Sequence, residues 1–499
     1  MKLTHATPIL LFAALSASCT GGFPTLGARK SIALARVAGD PGSPAKRLPI
    51  VFSNGPTFTY DLEVHDASGA VDASFDGWVR LSAAPGTIVP LQRNVHVVGG
   101  VAKAVPVTLV AAFGDTRIWA EDLGYAPAAP DNPAPQCANG LDDDGDGLID
   151  FPADPGCFAP NDDDERAGTI ATGAGDVLYF ASPRIADVRG VAENGGTATA
   201  FPRDQVRVDT GYHADTGTYD FDVVVTRIAS DGFYVTDVQD QNARGYASIF
   251  AFTFSPPQKL AICDRLRSLS GTSSDFYGFT EMNFPTWSVE YYDPSAPARP
   301  CLVPEPRVLA ASELPPVATN LSTLFRYESA LVRVQTGGSV TVRVGKHFGA
   351  GKVPLMGAAY VPQDDASSCD FNQNGKVDFS SPDEAACSKA CTADVECTEF
   401  ANFLTQSSFT LVVANSMTMQ TAKAQADASA SPGFDPVLYK GKTLGAFTGT
   451  LRYFSGGQQF TIEARCGDDI VLDPMKQPLA SDKACIRPRT DLNPNDTSH

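Results

Sequence analysis

Hydrophobic and polar residues alternate along several segments in the first quarter of the chain. In Thr57 to Asp66 every second residue is apolar: Phe58, Tyr60, Leu62 and Val64. A period of two residues puts these side chains on one face, as in a half-buried β-strand. Turn signals separate four further strand-like runs, at Gly77 to Ser82, Val95 to Val98, Val105 to Phe113 and Arg117 to Glu121. The pattern predicts an all-β domain over residues 34–125.

This succession of short strands resembles a bacterial immunoglobulin-like domain, in which two antiparallel sheets pack face to face. The resemblance rests on strand spacing alone, because residues 34–125 contain no cysteine to form the disulfide of antibody domains. It implies a β-sandwich. Another kind of small all-β domain would show the same spacing, so that alternative stays open.

A second group of strand signals begins near residue 176. Two apolar strands within Phe221 to Asp237 meet at a Ser-Asp-Gly turn, and the aromatic strand Ser248 to Phe254 ends before two prolines. Strand-like runs at Leu260 to Gly271 and Phe276 to Phe284 follow. This order resembles the OB-like β-barrels attached to some secreted bacterial nucleases. The resemblance implies an OB-like barrel over residues 176–302.

A second OB-like domain is expected over residues 303–473, because strand signals recur there. They lie at Tyr327 to Val334, Ser339 to Val344, Phe409 to Val413, Thr443 to Tyr453 and Gln459 to Ala464. A cysteine-rich insertion, 362–398, divides this domain, and residues 474–499 form a polar tail. The fold class predicted for the whole chain is therefore mostly β and multidomain.

The first 19 residues have the composition of an export signal. Lys2 precedes an apolar run from Ile9 to Leu15 that is too short to span a bilayer, and small residues lead to Cys19. The segment resembles the lipobox of bacterial lipoproteins, although Leu15 lies one place earlier than the family's leucine. The resemblance implies a lipidated Cys19, a tether over residues 20–33 and an anchor in the cell envelope. The open alternative is ordinary cleavage near Ala17.

The residue after the cysteine, Thr20, bears on which membrane holds the anchor. It is not the aspartate that retains lipoproteins at the inner membrane under the enterobacterial sorting rule. The expected location is therefore the outer membrane, with the protein facing the periplasm or the cell surface.

Ten cysteines remain when Cys19 is set aside, and an even number in an exported chain suits a set of disulfides. Pairing sequence neighbours predicts Cys137 with Cys157, Cys263 with Cys301, Cys369 with Cys387, Cys391 with Cys397, and Cys466 with Cys485. Other pairings within residues 369–397 fit nearly as well.

The composition indicates many turns and a negative charge that is concentrated in one segment. Glycine and proline make up 80 of 499 residues, which favours short strands over helical bundles. The net charge of −19 argues against a general binder of polyanions. Residues 142–165 hold ten acids and no Lys or Arg. They lie within residues 126–175, which are expected to be a proline-rich linker followed by an acidic loop.

The acidic segment contains the spacing of a calcium loop from Asp142 to Asp150. Oxygen ligands at alternate positions converge if the chain turns sharply at the sixth position, which Gly147 permits, and hard oxygen ligands select Ca²⁺. The loop resembles those of EF-hand, dockerin and thrombospondin type 3 repeats, but Ala153 replaces the usual acid at position 12. The expected ligands are Asp142, Asp144, Asp146, the carbonyl of Leu148, and Asp150 or Asp154 to complete the shell. The alternative is a solvated acidic linker.

The cysteine-rich insertion repeats this pattern between Cys369 and Cys387. The expected ligands there are Asp370, Asn372, Asn374, the seventh-position residue Lys376, Asp378 and Asp383. Position 12 is again not an acid, being Ser381, and two amides replace carboxylates. This second loop is therefore expected to attract a cation less strongly.

No catalytic motif is present. The sequence lacks Gly-x-Ser-x-Gly, His-Glu-x-x-His and a phosphate-binding loop of the Gly-Lys-Ser or Gly-Lys-Thr kind, and its six histidines are widely separated. The chain is expected to be non-enzymatic, without catalytic residues or a small-molecule cofactor. An unrecognised hydrolase would need His213 or His347 beside acids in a cleft.

Together these features predict a cell-envelope lipoprotein with a binding, adhesive or scaffolding role. Structural Ca²⁺ would fix the orientation of its domains, its lipid would contact the membrane, and its ligand would be an unidentified protein or glycan. The alternative is a nucleic-acid-binding accessory of an extracellular nuclease system. Residues 176–300 disfavour it, since they hold 16 acids against 10 bases. Only a local patch around Arg244, Arg265 and Arg267 would attract phosphate.

Overall fold

The computed structural model describes residues 30–337, 342–344, 408–413, 417–423, 443–454 and 459–486, apart from gaps at 91–92, 124–134, 144–146, 155, 158–159, 161–164, 166–169, 230, 244, 295–298, 311–312 and 314–321. The fold is mostly β and divides into two compact units, with the boundary in the chain between Phe180 and Ala181. In these ranges no helix has the length and apolar character needed to cross a membrane.

Nine strands build the described part of the first unit. They are β1 Ser31–Ala38, β2 Thr57–His65, β3 Asp76–Ala84, β4 Thr87–Val89, β5 Arg93–Val98, β6 Val101–Val110, β7 Asp115–Asp122, β8 Gly173–Ala174 and β9 Leu178–Tyr179. The predicted alternation is confirmed in β2, where Phe58, Tyr60, Leu62 and Val64 are fully buried. They join the core of this unit together with Leu81, Val97, Val107 and Ile118.

The strand pairing of the first unit is that of an immunoglobulin-like sandwich. One group runs β1-β2-β6 and the other runs β5-β3-β7-β8, with a single residue pair, Val98 and Val101, linking β5 to β6. Ser31 in the first strand also makes a parallel bridge to Ala171, close to β8. The first, second and fifth main strands lie together and the third, sixth and seventh lie together, as in such domains, but the fourth main strand, β5, pairs with the third strand, β3.

The sandwich extends beyond the expected end at residue 125. Trp119 and Ala120 of β7 pair with Ala174 and Gly173 of β8, and β9 pairs with the start of β7. The acidic segment therefore lies between two hydrogen-bonded strands of one sheet and is an insertion in this unit. We call residues 123–172 the β7–β8 insertion.

The first part of the second unit is a five-stranded, nearly closed barrel. Its strands are β13 Val223–Ala229, β14 Gly232–Asp237, β15 Ser248–Phe252, β16 Arg265–Phe276 and β17 Phe279–Glu290. They pair in the circular order β13-β14-β15-β17-β16, with β15 and β17 parallel, and β16 closes onto β13 at Val224 and Arg265. This strand order is that of the OB-like barrel predicted over residues 176–302. The described strands of residues 303–473 form two separate sheets and do not show the second barrel that was predicted there.

Short elements surround the barrel. They are β10 Gln205–Val208, β11 Tyr212–His213, β12 Thr218–Tyr219, and the helices α1 Ile185–Val188, α2 Val191–Asn194, α3 Val238–Ala243 and α4 Ser322–Arg326. β10 adds to the barrel sheet beside β16, and β11 and β12 form a separate hairpin.

Two further sheets complete the described part of the second unit. One contains β18 Arg307–Val308, β19 Leu331–Gln335, β24 Ala446–Phe454, β25 Gln459–Glu463 and β26 Ile470–Val471. The other contains β20 Val342–Val344, β21 Ser408–Val413, β22 Met417–Lys423 and β23 Thr443–Leu444. The cysteine-rich insertion, 362–398, lies outside the described residues.

Candidate functional site

A buried disulfide brackets the acidic part of the β7–β8 insertion. Cys137 and Cys157 form the predicted bond, with their Cα atoms 5.7 Å apart, and both are almost fully buried. The N–H of Phe151 donates to the carbonyl of Cys137 at 3.1 Å. The bond and this contact hold the two ends of the loop together, and no long helix flanks it among the described residues.

The described part of the loop makes one of the turns that a calcium loop requires. The N–H of Gly147 donates to Oδ2 of Asp142 at 3.0 Å, and Gly147 has a φ of +92°, which favours glycine. The predicted ligands Asp144 and Asp146 lie outside the described residues, so their positions stay a prediction.

Asp150 accepts two backbone hydrogen bonds from the start of the loop. Its Oδ1 accepts from the N–H of Asn139 at 3.1 Å, and its Oδ2 accepts from the N–H of Gly140 at 2.8 Å. Both oxygens are thus already engaged by backbone donors. Of the two acids expected to complete the shell, Asp154 is the one that keeps an uncommitted oxygen.

Asp154 is 1% exposed, and it is brought inward by a turn in which its N–H donates to the carbonyl of Asp150. Its Oδ1 accepts from the N–H of Gly156 at 2.6 Å. Its Oδ2 is buried without a hydrogen-bond partner. Because buried oxygens are rarely left unpaired, this atom marks a position where a cation would be expected.

Glu165 lies beside Asp154, and the sequence analysis did not select it. It is fully buried, and one of its carboxylate oxygens lies within 4.8 Å of one from Asp154. Its Oε1 accepts from the N–H of Asp150 at 2.8 Å, and its Oε2 accepts from the N–H of Asp143. Glu165 is 23 residues from Asp142, outside any calcium-loop spacing. Its only signal in the sequence is that it ends the acidic run.

The insertion also exposes four large apolar side chains within eleven residues. Leu141, Leu148, Ile149 and Phe151 are 40–61% exposed. Apolar side chains presented on a loop that a disulfide holds are typical of a contact surface, and here acidic residues surround them in the sequence.

The other predicted site residues fall into two groups. Cys263 is bonded to Cys301 and Cys466 to Cys485, as predicted. The cluster Cys466, Asp468 and Cys485 offers no thiolate, since its sulfurs form that disulfide. Outside the described residues lie Cys19, the cysteines Cys369, Cys387, Cys391 and Cys397, and the ligands Asp370, Asn372, Asn374, Lys376, Asp378 and Asp383.

The outer face of strands β14 and β15 is covered. Tyr234 and Phe250 on this face are fully buried. The guanidinium of Arg452, from β24, lies 5.5 Å from the ring centre of Phe250, and Arg227 of the barrel pairs with Glu463 of β25 at 2.5 Å. The surface that OB barrels use for oligonucleotides is here packed against a second sheet.

The basic patch considered from the sequence is engaged in contacts within the chain. Arg265 pairs with Asp222, and its guanidinium lies 3.3 Å from the ring centre of Tyr219. Arg267 lies over the ring of Tyr212 at 5.7 Å, and Arg244 lies outside the described residues. Exposed aromatic side chains remain at the β16–β17 turn, namely Phe276 and Tyr277.

His213 lies in the exposed β11–β12 hairpin. Its Nε2 is 2.8 Å from Oδ2 of Asp220, and this hydrogen bond raises the pKa of the imidazole. Both side chains face solvent. His347 lies outside the described residues.

Comparison of the chain with protein-family profiles, with curated proteins and with solved structures finds no match.

Proposed function

We propose that this protein is a non-enzymatic lipoprotein of the bacterial cell envelope, in which a calcium-stabilised insertion of the first domain binds a partner in an adhesive or scaffolding role. The disulfides support an oxidising compartment outside the cytoplasm. The lipid anchor on Cys19 remains a prediction from the sequence. The partner would be a protein or a glycan.

The observation that carries the proposal is the place of the acidic segment in the sandwich. It connects β7 to β8, the position of one of the loops that immunoglobulin variable domains use for binding. Since the segment starts and ends in the same sheet, Ca²⁺ would stiffen this loop. It would not fix the orientation of two domains, as the sequence alone suggested.

The exposed apolar residues of the insertion indicate the kind of partner. Leu141, Leu148, Ile149 and Phe151 offer apolar contact area, and the surrounding carboxylates attract positive charge. A partner surface with an apolar centre and a rim of Lys or Arg fits this chemistry best.

Calcium dependence is testable by calorimetric titration and thermal melting of the folded, oxidised protein. Added Ca²⁺ should release heat and raise the melting temperature, and a chelator should reverse the shift, because a ligand that binds only the folded state stabilises it. Asp142→Asn should weaken binding. Asp66→Asn is a matched control, since Asp66 also accepts a backbone N–H but lies in the β2–β3 turn. Absence of binding heat and of any shift would rule out the calcium role.

A second candidate function is nucleic-acid binding through the barrel, favoured by the exposed Phe276 and Tyr277, which could stack on bases. The covered β14–β15 face and the engaged arginines do not support it. A gel shift with single-stranded DNA at low salt separates the two. We expect no retained complex, and a complex that Tyr277→Ala removes would favour the nuclease-accessory role.

A further inference from the structure

Two carboxylates of the β7–β8 insertion are removed from water and lie next to each other. Asp154 and Glu165 are 1% and 0% exposed, and a carboxylate oxygen of each lies within 4.8 Å of the other. Two buried negative charges at this distance repel each other unless a cation or a proton lies with them.

Hydrogen bonds satisfy only one member of the pair. Glu165 accepts two backbone N–H groups, one on each oxygen, and each oxygen keeps a second lone pair with which it can bind a cation. Asp154 accepts one on Oδ1, while its Oδ2 has no partner. Residues 142–165 contain no Lys or Arg, and Arg166, which follows directly, lies outside the described residues. The unpaired oxygen therefore indicates that a ligand is needed to complete this site.

We propose that Asp154 and Glu165 together hold a divalent cation in the insertion. This inference rests on the proposed calcium function. Two oxygens bound to one Ca²⁺ at about 2.4 Å each lie at most about 4.8 Å apart, which the pair satisfies. The sulfur of Cys157, the third atom nearby, is in the disulfide and supplies no thiolate.

The position of Glu165 gives the ion a mechanical role. Glu165 contacts the loop through the N–H groups of Asp143 and Asp150, and its own N–H donates to Oε1 of Gln136 at 3.1 Å. A cation shared by Asp154 and Glu165 therefore ties the segment after the disulfide to the loop inside it. Removing the ion should loosen residues 136–165 as a whole.

The competing explanation is a proton shared by the two acids, as in carboxylate dyads. A shared proton would leave the pair indifferent to metal ions and sensitive to pH. A bound cation would make stability depend on the Ca²⁺ concentration, and this dependence would weaken only at a pH low enough to protonate the carboxylates.

The test uses the mature, oxidised chain with Ca²⁺ in calorimetry and Tb³⁺ as a luminescent substitute. Tb³⁺ lifetimes in H₂O and D₂O count the water molecules bound to the ion. Glu165→Gln and Asp154→Asn should each lower Ca²⁺ affinity at least about tenfold and add about one water to bound Tb³⁺. Glu121→Gln, at the end of β7, is the control and should leave both values unchanged. Near-ultraviolet circular dichroism checks that each variant is folded.

The outcomes separate this inference from the broader function. Wild-type affinity and water number in both variants would overturn the Asp154–Glu165 site and leave the calcium loop intact. Failure of the wild-type chain to bind either ion would remove both proposals. If Glu165→Gln does not fold, Asp154→Asn decides alone, because an asparagine can still accept the N–H of Gly156. If the stability of the wild type does not respond to Ca²⁺ but changes with pH, and Asp154→Asn alters this pH dependence, the pair shares a proton and the proposed cation site is overturned.

Discussion

At the residue scale, the second unit depends on buried charges whose partners are distant in sequence. Arg189 is fully buried, pairs with Glu328 at 3.1 Å, and donates to the carbonyls of Ser248, Phe325, Glu328 and Gly196. Burying a guanidinium is costly unless it is paired, and here both terminal nitrogens of Arg189 are engaged while its Nε has no partner. Arg189 therefore connects α1 to β15 and to the chain after α4.

These residues could not be identified from the sequence. Arg189 stands in a short Asp-Val-Arg-Gly segment with no pattern of burial, and Glu328 is 139 positions away. Glu165 was missed for the same reason, since a carboxylate that folds back on a loop has no fixed spacing. Asp154 was selected because it lies next to the expected twelfth position of that loop.

Glu328 should make the stability of the second unit depend on pH. Burial raises the pKa of Glu328 to about 7, above the value of about 4.3 for an unfolded glutamate. The folded state then holds its proton more tightly, so stability is fully present below the unfolded pKa and is lost as pH rises through about 7. Burial also raises the pKa values of Asp204, Asp237 and Glu281 in the same direction.

Urea unfolding between pH 5 and 8 measures this effect. Trp287 alone reports on the second unit when Trp78 and Trp119 are replaced by Phe. The free energy of unfolding should fall with rising pH, and Glu328→Gln should flatten the profile. Glu313→Gln, in a surface pair with Arg307, should keep the original slope. A profile that Glu328→Gln leaves unchanged would assign the pH dependence to other acids.

At the element scale, the alternation of apolar and polar residues predicted where strands occur better than it predicted where they begin and end. The run Leu260 to Gly271 was expected to be one strand, but its first residues form a turn that carries the Cys263–Cys301 disulfide, and β16 begins only at Arg265. The run Phe276 to Phe284 contains a two-residue turn, Tyr277-Gly278, and half of β17. A tyrosine with a φ of +52° gives no turn signal of its own.

The contact between the barrel and the second sheet was also not predictable from alternation. Arg227 occupies a barrel strand, yet it is 1% exposed because it faces Thr450 and Glu463 of β24 and β25. An arginine in a strand is usually interpreted as facing solvent. Arg227 is buried because β13 packs against β24 and β25, whose contacting residues lie 223 and 236 positions later in the sequence.

Breaking this contact from one side should be costly. Arg227→Met leaves the carboxylate of Glu463, 6% exposed, without this partner, and we expect a loss of about 3–5 kcal/mol in the free energy of unfolding. The double variant Arg227→Met with Glu463→Met should lose clearly less, since the buried carboxylate is removed together with Arg227. Urea unfolding followed at Trp287 gives both values. Equal losses in the single and double variants would mean that the charge pair itself stabilises the interface.

At the scale of the whole molecule, the sequence predicted the succession of β-rich regions but not their boundary. The first unit runs to Phe180 because β8 and β9 return to the sandwich. Each has only two residues, too few to show any alternation. The acidic segment therefore looked like a linker in the sequence, although it is an insertion in the structure.

The predicted anchor concerns the whole molecule as well. If Cys19 carries lipid, the expressed protein should sediment with membranes and require detergent for release, and Cys19→Ser should move it to the soluble fraction. A protein with several acyl chains binds a membrane more strongly than a protein with one. The detergent concentration needed for release should therefore increase with the number of acyl chains found by mass spectrometry. A wild-type protein that is soluble and lacks acyl mass would leave ordinary cleavage near Ala17 as the explanation.

The place of the β7–β8 insertion has a consequence for how such a protein can diversify. Its 50 residues leave from Asp122 and return at Gly173, at strands that are hydrogen-bonded to each other. Leu123 and Ala171 are themselves hydrogen-bonded into the sandwich, so it is the sequence and length inside these two residues that can change without moving the strands. If the insertion binds a partner as proposed, its contact residues can therefore be replaced while the strands that carry them keep their structure.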